Sequence, residues 1–165
     1  MNVADKIVEI LESEGINHVF GIPGEQIMPL YKSLSTSNIE HILTRHEQSA
    51  AHAADGYCRS SGKIGVCIAT ASPGALNFTM ALATAFKDNV PILVLTGDND
   101  LKYRGSDHFQ STPQVEIFKN ITRASYNPLN GTEAMYVLRA AIYELKTMPK
   151  GPIHINLCSH AGGFR

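Results

Sequence analysis

Two uninterrupted apolar runs constrain the fold of this chain most. Residues 66–69 (VCIA) and residues 92–95 (ILVL) each place four apolar side chains in a row, without polar alternation. A strand with one face in water alternates, whereas a continuous run is typical of a strand covered on both faces in a parallel sheet. The two runs therefore predict an α/β fold with helices on both faces of the sheet.

The segments around these runs alternate between helical and extended patterns. Helical spacing of apolar residues predicts helices over residues 3–11, 27–34, 46–60 and 134–145, with Gly15 and Gly62 ending the first and third. Further strands are predicted over residues 17–20, 39–43, 122–126 and 153–157. The residues from Asn156 onward are predicted to form a tail that leaves the sheet. This order predicts one domain with a doubly wound, mostly parallel sheet.

Composition excludes several classes of function. The chain has 14 Lys and Arg against 15 Asp and Glu, a net charge of -1, so no overall field attracts nucleic acid or an anionic membrane. Residues 64–86 carry no charge, but Ser72-Pro73-Gly74 interrupts them, which favours a buried strand, a tight turn and a buried helix over a membrane span. Only 18% of the residues are charged, which predicts an apolar face for self-association or partner docking.

Cysteine usage and the first residues bear on the compartment. The three cysteines are far apart and form no C-x-x-C pair, so neither a disulfide framework nor a zinc site is indicated, and a reducing cytoplasm suits them. The first residues follow an amphipathic helical pattern rather than that of a signal peptide. We therefore expect a cytoplasmic protein that holds no metal of its own.

The loops that come after strands are the candidate ligand-binding segments, because ligands bind outside the carboxyl ends of a doubly wound sheet. These loops are residues 21–24, 44–47, 71–77 and 97–110. Glu47 stands in the second loop, at the start of a helix, where a carboxylate could serve a ligand or could equally stabilise the helix end. Residues 71–77 (ASPGALN) could let the backbone approach a flat or anionic ligand, or could be a simple turn.

Four segments carry a resemblance when they are taken together. They are FGIPG at residues 20–24, RHEQSAAHAADGY at 45–57, GVCIATASPGALN at 65–77 and DNVPILVLTG at 88–97. In this order they resemble the N-terminal, flavodoxin-like pyrimidine-binding domain of thiamine-diphosphate enzymes. The similarity is greatest to acetolactate synthase large subunits and related 2-oxo-acid decarboxylases, and it covers nearly the whole chain.

The resemblance implies roles for individual residues. Glu47 would hydrogen-bond the ring nitrogen of the cofactor's aminopyrimidine and activate the cofactor, while Pro73, Gly74 and Asn77 would form the turn against that ring. Pro23 and Gly24 would form the loop beside it, and Gln110, after Phe109, would lie near the substrate as a second catalytic residue. Two positions depart from the family pattern: Ala71-Ser72 replaces the usual Ser-Gly, and Ser111 replaces an acidic residue.

The family's metal-binding motif is missing from this sequence. Family members hold the diphosphate through Mg²⁺ on a separate domain with a Gly-Asp-Gly motif, and no such motif occurs here. We therefore expect thiamine diphosphate to be shared with a partner chain, a separate diphosphate-domain subunit that holds Mg²⁺, in a homo- or hetero-oligomer.

The predicted function is that of the pyrimidine-binding half, residues 1–165, of a split enzyme that acts on small 2-oxo acids. The reaction would be acetolactate synthase-like carboligation or decarboxylation. An alternative is a non-catalytic interaction or regulatory module, or a truncated remnant of such an enzyme. A phosphate- or nucleotide-binding module is a third hypothesis, but neither G-x-x-x-x-G-K-[ST] nor G-x-G-x-x-G is present.

Overall fold

The computed structural model describes residues 2–103 and 105–158, which form a six-stranded sheet with helices on both faces. The strand order is β2-β1-β3-β4-β6-β5, and every neighbouring pair is parallel. The strands are β1 (His18–Gly21), β2 (Glu40–Leu43), β3 (Gly65–Ala69), β4 (Ile92–Asp98), β5 (Ala124–Tyr126) and β6 (Ile153–Cys158). The predicted doubly wound α/β class is confirmed, and the sheet is entirely parallel.

The helices alternate with the strands along the chain. They are α1 (Val3–Ser13), α2 (Met28–Leu34), α3 (Glu47–Ser61), α4 (Ser72–Ala75), α5 (Thr79–Lys87), α6 (Gln114–Phe118) and α7 (Gly131–Lys146). Short 3-10 turns cover Glu25–Ile27, Leu76–Phe78 and Leu101–Tyr103. No helix in the described ranges has the length and apolar character needed to cross a membrane.

Two separate hydrophobic cores cover the sheet. On one face α1, α2 and α7 pack over Val66, Ile68 and Leu93, and on the other α3 and α5 pack over Cys67 and Val94. All five residues of β3 are buried, as are the first six of β4. The continuous apolar runs are therefore explained, because successive side chains of a strand point to opposite faces and each face has its own layer of helices.

Glycines end two of the predicted helices in the expected way. Gly15 and Gly62 have φ values of 78° and 72°, in the left-handed region that costs glycine little. At the other end of α1, the Asn2 side chain accepts a hydrogen bond from the Asp5 backbone at 2.8 Å, and the Asp5 carboxylate accepts one from the Asn2 backbone at 2.9 Å. This capping box fixes where the first helix begins.

Two expectations from the sequence are corrected. The predicted tail from Asn156 is wrong as far as Cys158, because β6 continues to that residue and all six of its positions are buried. The rest of that predicted tail, residues 159–165, lies outside the described residues. Residues 71–77 are also more than a turn, since α4 and the 3-10 turn at Leu76–Phe78 continue directly into α5.

A buried polar network explains why the sequence of β6 from Asn156 onward resembles that of an exposed tail. Asn156 accepts a hydrogen bond from Gln114, whose amide also donates to the Gly97 carbonyl at 2.9 Å. Both ring nitrogens of His154 have hydroxyl partners at 2.8 Å, Thr96 on one side and Ser125 on the other. These polar residues interrupt the apolar pattern of β6, yet they are fully buried because their hydrogen-bonding groups are satisfied.

The buried histidine makes stability depend on pH. Burial lowers the pKa of His154 from 6.5 to about 3, so between these values the unfolded chain takes up a proton that the folded chain excludes. The free energy of unfolding should therefore fall as the pH drops below 6.5, with a contribution from His154 of up to about 1.4 kcal/mol per pH unit. Urea unfolding of wild type and His154→Gln between pH 7 and pH 4 measures this contribution. His154→Gln should show the shallower slope and the exposed-site control His52→Gln the wild-type slope; equal slopes in all three would contradict the assignment.

Candidate functional site

Glu47 lies at the carboxyl edge of the sheet, where the chain passes from β2 into α3. His46 is the N-cap of α3, and its Nδ1 accepts a hydrogen bond from the Gln48 backbone N–H at 3.1 Å. The Thr44 hydroxyl donates to the His46 carbonyl at 3.0 Å and ties the preceding loop to the cap. These local bonds hold Glu47 in the first turn of the helix, half-buried rather than free in solvent.

A side chain from the next strand connection holds the Glu47 carboxylate. Asn77 lies in the 3-10 turn after α4, and its Nδ2 donates to Glu47 Oε2 at 2.8 Å. The two residues are 30 positions apart, so the bond links the end of β2 to the connection that leaves β3. A bond from a neutral amide orients the carboxylate without cancelling its charge.

Gly74 packs closely against the other carboxylate oxygen of Glu47. A Cβ at Gly74 would lie 3.0 Å from Glu47 Oε1 and 3.1 Å from Thr70 Cγ2. Among the described residues none donates a hydrogen bond to Oε1. The carboxylate is therefore fixed through one oxygen and can accept a hydrogen bond from a ligand through the other.

Thr70 and Gln26 form a second wall of the site. A Cβ at Gly24 would lie 2.6 Å from Thr70 Oγ1, so the loop after β1 rests directly on the end of β3. The Thr70 hydroxyl donates to Gln26 Oε1 at 2.7 Å. A Cβ at Gly97 would lie 2.8 Å from the Gln26 backbone, so the end of β4 joins the same contact. Three strand ends thus meet at Gln26.

Tyr31 packs against the end of β1. Its hydroxyl is buried, and a Cβ at Gly21 would lie 2.5 Å from it, so only glycine fits at the end of β1. Burial raises the pKa of Tyr31, and the nearby Cys67 and Glu47 groups raise it further. The phenol therefore stays neutral.

The structure brings together most of the residues singled out from the sequence. Glu47, Gly74 and Asn77 are in direct contact, and Gly24 reaches them through Thr70. Pro23 and Pro73 are exposed, each next to one of these glycines. Sequence reasoning missed Thr70 and Gln26, although Thr70 comes directly after a predicted buried strand and could have been found by that criterion.

Gln110 is not joined to this cluster. It lies in the loop after β4 with a φ of 60°, and no hydrogen bond in the described part of the chain links it to Glu47 or Asn77. The neighbouring Phe109 is 73% exposed, and its carbonyl accepts a hydrogen bond from Asn99 Nδ2 at 2.8 Å. The role expected of Gln110 stays a prediction.

A cavity of about 460 Å³ opens elsewhere at the carboxyl edge, beyond β4 and β6. Its lining includes Asp98, Asn127 and Asn156, but neither Glu47 nor Asn77. In the Glu47 cluster, Glu47 and Asn77 are half-buried and Gly74 is buried. No group of three His, Cys, Asp or Glu side chains suited to a metal ion occurs within residues 2–103 and 105–158.

Comparison with known proteins assigns the chain to a family. Residues 1–117 match the family described as "Thiamine pyrophosphate enzyme, N-terminal TPP binding domain". The chain is 43% identical to the probable acetolactate synthase large subunit of Methanocaldococcus jannaschii and 41% identical to that of Methanococcus aeolicus; each match covers 95% of this chain, but 27% and 26% of the relatives. It is 39% identical to the chloroplastic acetolactate synthase of Arabidopsis thaliana over 93% of this chain and 23% of that protein. The chain belongs to the thiamine pyrophosphate enzyme family, and it spans about a quarter of the length of these relatives.

Two helical glycines offer a matched test of the site's packing. Gly56 in α3 has open space around its missing side chain, so Gly56→Ala should raise the free energy of unfolding by about 0.5–1 kcal/mol through helix propensity alone. Gly74→Ala in α4 should lose that gain, because its new methyl group crowds Glu47 Oε1 and Thr70. Urea unfolding compares the two, and the NMR shift of the Asn77 side-chain amide should move only in Gly74→Ala. An equal gain in stability for both variants would contradict the close contact.

Proposed function

We propose that this chain is the pyrimidine-binding half of a thiamine-diphosphate-dependent enzyme acting on 2-oxo acids, and that another chain supplies the diphosphate and Mg²⁺ site. The reaction would be acetolactate synthase-like carboligation or 2-oxo-acid decarboxylation. The observation that carries the proposal is the Glu47 carboxylate, oriented through Oε2 by Asn77 and without a hydrogen-bond donor at Oε1 among the described residues. The family and the acetolactate synthase relatives support the same cofactor.

The residues present fit an aminopyrimidine ring. A carboxylate oxygen with an unused acceptor site suits a protonated ring nitrogen, and the space that a Cβ at Gly74 would fill suits the edge of a flat ring. Pro23, Gly24 and Pro73 would border the ring. When bound, thiamine diphosphate supplies a nucleophilic carbon and an electron sink for the carbanion left by decarboxylation.

The catalytic role of this chain would be to hold a proton on the ring nitrogen of the cofactor's aminopyrimidine. Glu47 Oε1 would accept the hydrogen bond from the ring nitrogen and stabilise its protonated form, which sets the acid–base state of the amino group on the same ring. Asn77 would keep the carboxylate from rotating away, and buried Gly74 would hold the turn close enough for contact. Gln110 would act from the loop after β4 on the substrate side.

The surroundings of the site support a partner chain. Glu47 and Asn77 are half-buried, and two apolar side chains close to them in sequence are more than 60% exposed: Leu43 at the end of β2 and Met80 in the first turn of α5. Gln48, next to Glu47, donates a hydrogen bond to Met80 Sδ at 3.0 Å, so the apolar patch adjoins the site. A diphosphate domain docked here would cover both the patch and the cofactor.

Glu47→Gln tests the proposal in the complex with a diphosphate-domain polypeptide from the same genome. The amide cannot stabilise the protonated ring, so turnover of 2-oxo acids should fall at least about 100-fold. The free energy of unfolding should change by less than about 1 kcal/mol, since the amide oxygen can still accept the Asn77 bond. Product formation and urea unfolding measure the two effects.

Glu9→Gln is the matched control, because Glu9 is an exposed carboxylate on α1 outside the Glu47 cluster. It should leave turnover unchanged. Turnover by Glu47→Gln equal to wild type would contradict the role of Glu47 and favour a non-catalytic module.

A further inference from the structure

Gln26 is held in one orientation by three strand ends. Its backbone packs against Gly97 at the end of β4, and its side-chain oxygen accepts a 2.7 Å hydrogen bond from Thr70 just past β3. Gln26 itself belongs to the 3-10 turn that comes after the β1 loop. A glutamine that merely covered surface would need none of these contacts.

The bond from Thr70 occupies the oxygen of the Gln26 amide and leaves the nitrogen. In the described residues nothing accepts a hydrogen bond from Gln26 Nε2, and the side chain is half-buried. Two N–H donors are thus presented in fixed geometry at the carboxyl edge. An amide oriented in this way is suited to an oxygen acceptor on a ligand.

Thr70 connects this donor pair to the Glu47 cluster. Its Cγ2 would lie 3.1 Å from a Cβ at Gly74, while its hydroxyl holds Gln26. The same hypothetical Cβ would lie 3.0 Å from Glu47 Oε1. Thr70 therefore contacts Gln26 through its hydroxyl and faces the Gly74–Glu47 contact through its methyl group. Thr70 follows β3, which lies beside β1 at the point where the strand order reverses and where ligands of doubly wound sheets bind.

We infer that Gln26 contacts the substrate of the proposed site, its side-chain amide donating a hydrogen bond to an oxygen of the bound 2-oxo acid, and that Thr70 positions it. The inference rests on the proposed function for the identity of the ligand. A 2-oxo acid offers ketone and carboxylate oxygens as acceptors, and it carries no N–H donor that would compete for Gln26 Oε1. Gln26 is then a specificity-determining residue beside the one that serves the cofactor.

The direct test uses the side-chain amides as NMR reporters in the 165-residue chain. Pyruvate at millimolar concentration should shift the Gln26 Nε2 resonance, identified by its loss in Gln26→Glu. That variant keeps an acceptor for Thr70 but has no N–H donors, so the Kd for pyruvate should rise about fivefold or more. Gln48→Glu is the control, since this second half-buried glutamine donates to Met80, and its Kd should stay within about twofold of wild type.

Variants at Thr70 test the positioning role. Thr70→Val keeps a methyl group against Gly74 but removes the hydroxyl, so the Kd for pyruvate should rise, whereas Thr70→Ser should restore it towards the wild-type value. A purely structural role of Thr70 would instead give loss of stability in both variants and no rescue by serine.

A second probe separates this inference from the proposed function. In the complex with a diphosphate-domain polypeptide, thiamine diphosphate with Mg²⁺ should shift the Asn77 side-chain amide, which reports on Glu47. If Asn77 responds to the cofactor while Gln26 ignores pyruvate, the inference is overturned and the proposed function stands. If Gln26 responds to pyruvate while Asn77 ignores the cofactor, the proposed cofactor site fails and Gln26 remains a site for 2-oxo acids. A Gln26 amide that does not respond to pyruvate overturns the inference in every case.

Discussion

Burial of β3 and β4 on both faces is the constraint on which the rest of the structure depends. Val66, Ile68 and Leu93 need cover on one side of the sheet, and Cys67 and Val94 need cover on the other. Helices must therefore cross from strand to strand over both faces, and such crossovers keep the strands parallel. Every carboxyl end then lies at one edge, which is how residues far apart in sequence come to share a site.

Missing side chains turn that edge into a site. Gly24 lets the loop after β1 rest on Thr70, Gly97 admits the backbone of Gln26, and Gly74 lets its turn approach one oxygen of Glu47. The resulting contacts hold two polar groups in fixed orientations, the Glu47 carboxylate through Asn77 and the Gln26 amide through Thr70. Fixed orientation matters for catalysis because the groups need no reorganisation when a ligand arrives. This edge of the sheet can thus offer a ligand both a hydrogen-bond acceptor, the Glu47 carboxylate, and a donor, the Gln26 amide.

The fold could be predicted from the sequence because its signals are local and agree with one another. The continuous runs in β3 and β4 and the helical spacing in α7 each predict the right element, and glycines 15 and 62 end helices as expected. The end of β6 could not be predicted, because Asn156 is buried only through partners distant in sequence, Gln114 among them. The spacing of apolar residues cannot predict such a hydrogen-bond network.

Some residues of the candidate site could also be predicted from the sequence, and others could not. Glu47, Gly74 and Asn77 could be found from ordered motifs, and the structure brings them into contact. The Thr70–Gln26 bond spans 44 residues and belongs to no motif, so it emerges only when the strand ends meet. Gln110 is the reverse case, because a sequence motif singled it out but no hydrogen bond in the described residues joins it to Glu47.

Calorimetric titration of thiamine diphosphate with Mg²⁺ tests the central claim most directly. The chain is titrated alone, and then mixed with a diphosphate-domain polypeptide from the same genome. Because this chain would hold only the pyrimidine end of the cofactor, saturable heat is expected in the mixture and little or none with the chain alone. Tight binding by the chain alone, or no binding in the mixture, would contradict a cofactor shared between two chains.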